Sequence, residues 1–189
     1  KKCADTLVDY VEKKITSNED AFDFKDLFSR YSTNINSSVA FGTENDCIND
    51  PNHIFYTTGL KFFEPTVKNS IRFFLFGFMP NVMKFLKIKF APKEVDSFFR
   101  KLVREIVEYR EKNNFVRNDF MNLLIQLKNQ GFIPADKDIL DEDEEIESEK
   151  IIKKLTLDEI SAQSFVFFLA SFETASSAMS FCLLELARN

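Results

Sequence analysis

The stretch from Thr156 to Arg188 contains neither proline nor glycine, and it constrains the fold more than any other part of the chain. It opens with a capping-box pattern, in which the Thr156 hydroxyl can accept the amide of Glu159 and the Glu159 carboxylate can accept the amide of Thr156. Leu155 and Ile160 bracket this box as a hydrophobic staple. At 1.5 Å per residue, about 30 residues predict a helix of roughly 45 Å, long enough to cross a whole domain.

The composition predicts a mainly α protein. The 189 residues are 44% apolar and 29% charged, which is typical of a single globular domain. They include 23 Phe and no Trp, but only 4 Gly and 5 Pro, too few turn residues for an all-β fold. Hydrophobic periodicity predicts further helices at residues 3–15, from cap Asp23 to Gly42, at 50–63, at 93–112, and from cap Asn118 to Gly131. The acidic residues 132–154 predict a solvated, mobile loop.

Charge and residue counts exclude several classes of function. The net charge of −5 argues against a nucleic-acid partner, which would require a basic face. The single histidine, His53, makes a zinc site or a Ser-His-Asp triad improbable, and we interpret it as a solvated residue near a helix start. Cys3, Cys47 and Cys182 share no metal-ligand spacing, so we predict no metal ligand in this chain and a reducing compartment.

The ends of the chain and its apolar runs give two further expectations. The chain does not begin with Met and carries no signal peptide, so we expect it to be a fragment of a longer protein. No apolar run reaches about 18 residues, which predicts no transmembrane span within this sequence.

Residues 71–90 combine bulky apolar side chains with interleaved cations. Phenylalanine, leucine and methionine alternate with arginine and lysine, as in a segment that lies in a membrane interface while its cations reach the headgroups. The alternative is a pair of short helices buried in the protein core.

Polar residues interrupt the middle of the long helix. Residues 165–169 are all apolar, which indicates burial on every side, but Glu173 and Thr174 follow one turn later. Small Ala170 lies one turn before Thr174 and leaves a notch on that face. An acid and a hydroxyl beside a notch can relay protons to a bound group. Alternatively, Glu173 forms an ion pair with a neighbouring segment and the Thr174 hydroxyl only satisfies its own backbone.

The motif and its surroundings resemble a known family. Ala170, Phe172, Glu173 and Thr174 match the pattern Ala/Gly-Gly-x-Asp/Glu-Thr-Thr/Ser of the distal I helix of cytochrome P450 monooxygenases. The similarity is closest to the microsomal insect branch that is related to the vertebrate drug-metabolising P450s, and it covers nearly the whole chain in order. Further segments that resemble this branch are 26–31, 40–42, 107–114, 117–121 and 155–157.

The resemblance implies roles for individual residues. Thr174 would be the hydroxyl that hydrogen-bonds dioxygen at the haem, and Glu173 would be the acid that organises proton delivery. Ala170 and Ser171 would lie on the haem and dioxygen face. Ser171 stands where the family pattern has Gly, and Ala175 stands where it has Thr or Ser. The residues implied to form the substrate pocket are Val166, Leu169, Phe62 and Phe63.

The resemblance also implies a function for the longer protein. It would be a haem-thiolate monooxygenase that inserts one atom of dioxygen into a lipophilic small molecule, with electrons from an NADPH-dependent cytochrome P450 reductase. It would lie on the cytosolic face of the endoplasmic reticulum membrane, which it would contact through residues 71–90. We expect residues 1–189 to be part of one P450 domain, without the N-terminal anchor and without the cysteine loop that holds the haem iron, and therefore inactive alone. The alternative is a non-enzymatic helical protein that docks on membranes and binds hydrophobic ligands or partners.

Overall fold

The computed structural model describes residues 2–17, 23–131 and 154–189, and this part of the chain is helical without any β-strand. The mainly α class predicted from composition is therefore confirmed. The helices are α1 (Lys2–Thr16), α2 (Phe24–Asn36), α3 (Ile54–Phe63), α4 (Val67–Phe78), α5 (Pro80–Phe85), α6 (Lys93–Asn113), α7 (Phe120–Asn129) and α8 (Leu157–Arg188). A π-helical turn, Ser37–Phe41, extends α2. The predicted acidic loop lies outside the described residues except for Lys154.

Helix α8 is the predicted long central helix. Its 32 residues span about 48 Å at the usual rise per residue. The capping box is present: the Thr156 hydroxyl accepts the Glu159 amide at 3.2 Å, and the Glu159 carboxylate accepts the Thr156 amide at 2.8 Å. Helices α2, α6 and α7 pack along it. Its buried side chains are Ile160, Ser161, Ser164, Phe168, Phe172 and Ser176.

By length and composition, α8 could also cross a membrane, contrary to the expectation drawn from apolar run lengths. Within the three described ranges it is the single helix that passes this test. The core helix of a globular domain passes the same test when it is apolar on several sides. Helices α2, α6 and α7 pack against one side of α8, and 17% of its most apolar stretch is buried within the described residues.

Local signals set the ends of α2. Asp23 caps this helix, since its carboxylate accepts the amides of Lys25 and Asp26 at 2.8 and 3.2 Å. The chain leaves the following π-helical turn at Gly42 with a φ of +68°, a conformation that glycine adopts without strain. A Cβ at Gly42 would also lie 2.4 Å from the Arg110 guanidinium, so the position has no room for a side chain.

Two predicted helix starts were wrong. Asp119, and not Asn118, caps α7, because its extended backbone lets its carboxylate accept the Asn122 amide at 2.9 Å. Helix α3 begins at Ile54 and not near Asp50, because the Asp50 carbonyl accepts the amide of His53 in a preceding turn. His53 then caps α3 through Nδ1, which accepts the Phe55 amide at 3.4 Å.

The core lies where α2, α3 and α6 meet α8, and phenylalanine rings fill much of it. Phe172 packs on Phe63 in a stacked arrangement, with ring centroids 5.7 Å apart. Phe62 contacts Phe165 edge-to-face at 5.4 Å. Gly59 lets α3 approach this cluster, because a Cβ there would lie 2.4 Å from the ring of Phe172. The buried rings of the core are Phe41, Phe55, Tyr56, Phe62, Phe99, Phe168 and Phe172.

Helices α4 and α5 form most of segment 71–90 and present apolar side chains outward. Only Asn69 and Met83 are buried in this pair of helices. Phe78 and Phe85 are 78% and 84% exposed. The pair is therefore not buried in the core of the described residues. The other large apolar side chains exposed along this segment are Ile71, Phe73, Phe74, Phe76, Met79, Val82 and Leu86.

Candidate active site on the long helix

An open face of α8 contains three of the predicted site residues. Val166, Ala170 and Thr174 follow one another at four-residue steps and are all exposed, with Val166 at 58%. Phe168, Phe172 and Ser176 follow the same spacing on the opposite, buried face. The helical period thus separates a packed side from an open side, and small Ala170 lies between the two larger side chains of the open side.

The Thr174 hydroxyl donates a hydrogen bond to the carbonyl oxygen of Ala170, one turn earlier. A threonine hydroxyl has one proton and two lone pairs, so it remains able to accept a hydrogen bond in this conformation. To donate to a bound group it must rotate away from the Ala170 carbonyl. This hydrogen bond therefore keeps the hydroxyl proton of Thr174 next to Ala170 on the open face.

Glu173 forms an ion pair with Lys25 of α2, with Nζ and Oε1 2.8 Å apart. The two side chains are 44% and 37% exposed. The Ser177 hydroxyl also donates to Oε1 at 3.3 Å. Within the described residues, Oε2 of Glu173 makes no hydrogen bond. The structure thus contains both contacts of the alternative interpretation: the ion pair of Glu173 with Lys25, and the hydrogen bond from the Thr174 hydroxyl to its own helix backbone. Neither contact uses Oε2 of Glu173.

Ser171 lies at the edge of the open face and is half-buried. Its hydroxyl donates to the Phe168 carbonyl at 3.2 Å, and its own carbonyl accepts the Ser32 hydroxyl of α2 at 3.0 Å. Ala175, the other departure from the family pattern, is also half-buried. Ser171, which stands where the family pattern has glycine, therefore has its side chain hydrogen-bonded to its own helix.

A cavity of about 350 Å³ lies between α6, α8 and the segment after α5. Val166 lines it, whereas Leu169 packs against the hydrophobic core. Phe62 is buried in the aromatic cluster at 3% exposure, and Phe63 is half-buried beside it. Of the four predicted pocket residues, Val166 therefore lines the cavity. The other three, Leu169, Phe62 and Phe63, belong to the core or its edge. The apolar residues of the cavity wall are Phe90, Ala91, Phe99, Ala162, Phe165 and Val166.

A chain of charges rims this cavity. Asp96 accepts from Lys89 at 2.7 Å and from Arg100 at 2.8 Å, and Arg100 also pairs with Asp158 of α8. Burial opposes ionisation of Asp96, but the hydrogen bonds from both cations outweigh it and hold the pKa of this carboxyl below its usual range. Sequence reasoning missed this rim and Lys25. The spacing of Asp96 and Arg100 was a signal for the rim, whereas Lys25 and Glu173 are 148 positions apart.

The three cysteines lie in different surroundings. Cys47 is fully buried, and burial above all raises the pKa of its thiol to about 12, so it remains protonated at neutral pH. Cys3 is half-buried on α1, and Cys182 is exposed on α8. No group of three potential metal ligands occurs in the described ranges.

Comparisons with known proteins identify the family of this chain. The family model of cytochrome P450 matches residues 1–189. The chain is 36% identical to cytochrome P450 6k1 of Blattella germanica over 98% of this chain and 35% of that protein. It is 35% identical to cytochrome P450 6a2 of Drosophila melanogaster, over 100% of this chain and 35% of that protein. For cytochrome P450 6A1 of Musca domestica, the identity is 37% over 94% of this chain and 32% of that protein.

The chain thus spans about a third of the length of these curated relatives. The match to the family model and the identities above 30% extend over almost all of its own residues. Together they show that this chain belongs to the cytochrome P450 family, whose members are haem-thiolate enzymes.

Proposed function

We propose that the full-length protein is a monooxygenase that inserts one atom of dioxygen into a lipophilic small molecule and reduces the other atom to water. The observation that carries this proposal is the open face of α8, where Ala170 lies between Val166 and Thr174 and Glu173 follows at the edge. When bound, the haem supplies the oxygen chemistry. The electrons come from an NADPH-dependent cytochrome P450 reductase.

The residues of this chain would hold and move protons beside the haem. Glu173 is half-exposed, and its Oε2 makes no hydrogen bond to any residue that the structure describes, so it can take a proton from solvent. Thr174 holds its own proton on the Ala170 carbonyl and can turn it towards a bound group. Ala170 and, at the edge, Ser171 form the surface against which the haem would lie. Glu173 and Thr174 are therefore the proposed catalytic residues.

The pocket walls that we propose are apolar. Val166 lines the 350 Å³ cavity, and Leu169 flanks the same turn of α8. Of the two rings near the end of α3, Phe63 is more accessible than Phe62 and is the stronger candidate for a roof. An apolar wall with few polar groups favours a lipophilic substrate.

Replacing Thr174 by alanine tests the proton-delivery role in the full-length haem protein. The variant should keep its haem, because Thr174 is exposed and bonds only within its own helix. It should form less product per NADPH consumed, since loss of a positioned proton donor typically costs about 10²-fold or more in a proton-transfer step.

The matched control is Ser180→Ala. Ser180 also donates to the carbonyl four residues earlier, at 2.7 Å from Ser176 O, so the control removes an equivalent helical contact outside the proposed site. Product per NADPH should be unchanged in this control. Equal product per NADPH (equal coupling) in Thr174→Ala and the wild type would show that Thr174 has no part in the mechanism.

We also propose that segment 71–90 rests on the cytosolic face of the endoplasmic reticulum membrane. The outward Phe78 and Phe85 side chains would enter the interface, and exposed lysines at 84 and 87 would contact anionic headgroups. Each such lysine contributes about 1 kcal/mol near an anionic surface. The same surface would serve the alternative, a non-enzymatic protein that docks on membranes and binds hydrophobic ligands or partners.

Flotation with anionic liposomes tests the membrane contact. In full-length protein from which any N-terminal anchor has been removed, the double variant Phe78→Ser/Phe85→Ser should float less than the wild type. The control Val116→Ser changes an apolar residue that is 72% exposed elsewhere, and it should float normally. Undiminished flotation of the double variant would contradict the interfacial role.

A further inference from the structure

Lys25 of α2 binds the turn of α8 that contains Glu173 through several contacts at once. Its ammonium lies 2.8 Å from Glu173 Oε1, 2.9 Å from the Ser176 hydroxyl and 2.6 Å from the Ser177 hydroxyl. The carbonyl of Glu173 is also within reach, at 3.3 Å. An ammonium has three protons, so these four acceptors engage its full donor capacity.

Two more side chains of α2 bind carbonyls of α8. The Ser32 hydroxyl donates to the Ser171 carbonyl at 3.0 Å, and Nδ2 of Asn36 donates to the Phe168 carbonyl at 3.1 Å. Lys25, Ser32 and Asn36 are seven and four residues apart and so share one face of α2. This face contacts α8 carbonyls at 168, 171 and 173, just before and within the proposed catalytic turn. Helix α2 thereby fixes the position of α8 where the acid and hydroxyl lie.

The Lys25 contact differs from an ordinary surface ion pair of this chain. Lys61 and Glu94 make a single contact at 2.6 Å, and their side chains are 56% and 75% exposed. Lys25 instead reaches Ser176, which is fully buried, and it bonds to both the side chain and the backbone of Glu173. Such a multiple contact fixes the geometry of its partner, whereas a single exposed pair does not.

We infer that Lys25 is a positioning residue that gives the two oxygens of Glu173 different tasks. Lys25 and Ser177 hold Oε1, and Oε2, which makes no hydrogen bond within the described residues, is left to exchange a proton. Lys25 acts through Glu173 and does not itself contact the reacting atoms. This inference rests on the proposed function, because it assigns Lys25 to the proton path of the same site.

The test compares Lys25→Met, Lys25→Arg and the control Lys61→Met in the full-length haem protein. Hydrogen–deuterium exchange of peptides within 168–177 reports on the α8 turn without turnover, and product per NADPH reports on proton delivery. In Lys25→Met, exchange in this turn should be about two- to fivefold faster, the factor expected for loss of a partly exposed ion pair. Product per NADPH should fall by a similar factor.

The arginine variant keeps a cation that can pair with Glu173, so it should recover at least half of both losses. A merely structural lysine would change exchange and leave product per NADPH intact, which would overturn the inference. Exchange and coupling in Lys25→Met equal to those of Lys61→Met would overturn it as well. If Lys25→Met does not bind haem, Ser177→Ala removes the second contact to Oε1 and should lower product per NADPH in the same direction.

The outcomes separate this inference from the proposed function. Suppose that product per NADPH falls in Thr174→Ala but stays normal in Lys25→Met. The role of Lys25 would then be wrong, and the proposed role of Thr174 would stand. Normal coupling in Thr174→Ala would remove the proton path itself and with it the assigned task of Lys25. The exchange data would then still decide whether Lys25 fixes the α8 turn.

Discussion

Gly59 of α3 lies against the ring of Phe172 of α8, and replacing it with alanine tests that packing. The added Cβ would lie 2.4 Å from one atom of the Phe172 ring and 2.8 Å from two others. Phe172 is 1% exposed and stacks on Phe63, so its ring has little room to retreat. Overpacking of this kind costs about 1–3 kcal/mol.

A second effect opposes this cost. Alanine is more favourable than glycine inside a helix by about 1 kcal/mol, and Gly59 lies within α3. The two terms leave a net destabilisation of up to about 2 kcal/mol. Gly77 of α4 supplies the matched control, because no atom lies within 4 Å of a Cβ built there. Gly77→Ala should therefore stabilise the protein by up to about 1 kcal/mol.

The assay is thermal unfolding of the two variants and the wild type, followed side by side by far-ultraviolet circular dichroism in the full-length haem protein. Gly59→Ala should unfold at a lower temperature than the wild type, and Gly77→Ala at an equal or higher one. If Gly59→Ala were as stable as Gly77→Ala, the predicted clash with the Phe172 ring would be wrong. The contact between α3 and Phe172 would then leave room for a methyl group.

The remaining predictions concern groups outside α8. Asp119→Asn should destabilise the protein by about 3–5 kcal/mol in chemical denaturation, because it leaves the buried Arg110 guanidinium without its carboxylate. Glu94→Gln, which breaks an exposed pair, should leave the denaturation midpoint almost unchanged, and equal losses of stability in the two variants would show that burial does not matter to the Arg110–Asp119 pair. Cys47 should resist iodoacetamide at neutral pH until the protein is denatured, since burial keeps its thiol protonated; rapid labelling of the folded protein, followed by peptide mass spectrometry, would argue otherwise.

Features that depend only on a few adjacent residues could be predicted from the sequence. The Thr156 capping box, the Asp23 cap and the positive φ of Gly42 depend on contacts between neighbours, and the structure contains all three. Helical periodicity also places Ala170 and Thr174 on one face. The burial on every side predicted for residues 165–169 was wrong, because Val166 and Phe167 are 58% and 36% exposed within the described part of the chain.

Contacts between distant segments could not be predicted. Nothing in the residues around Glu173 identifies Lys25 as its partner, because the packing of α2 on α8 decides which cation arrives there. The choice of Asp119 over its neighbour Asn118 as a cap has the same origin, since Asp119 also pairs with Arg110 of α6. Likewise, Phe62 and Phe63 look equivalent in the sequence, and only packing distinguishes the buried ring from the half-buried one.

We propose that this chain is the distal part of a haem-thiolate monooxygenase. The reduced carbon monoxide difference spectrum of the full-length protein tests it most directly, because the absorption band reports the iron ligand. The account predicts haem binding and the band of a thiolate-ligated haem, retained in Thr174→Ala. A full-length, folded protein that binds no haem, or whose band is that of a haem without a thiolate ligand, would contradict it.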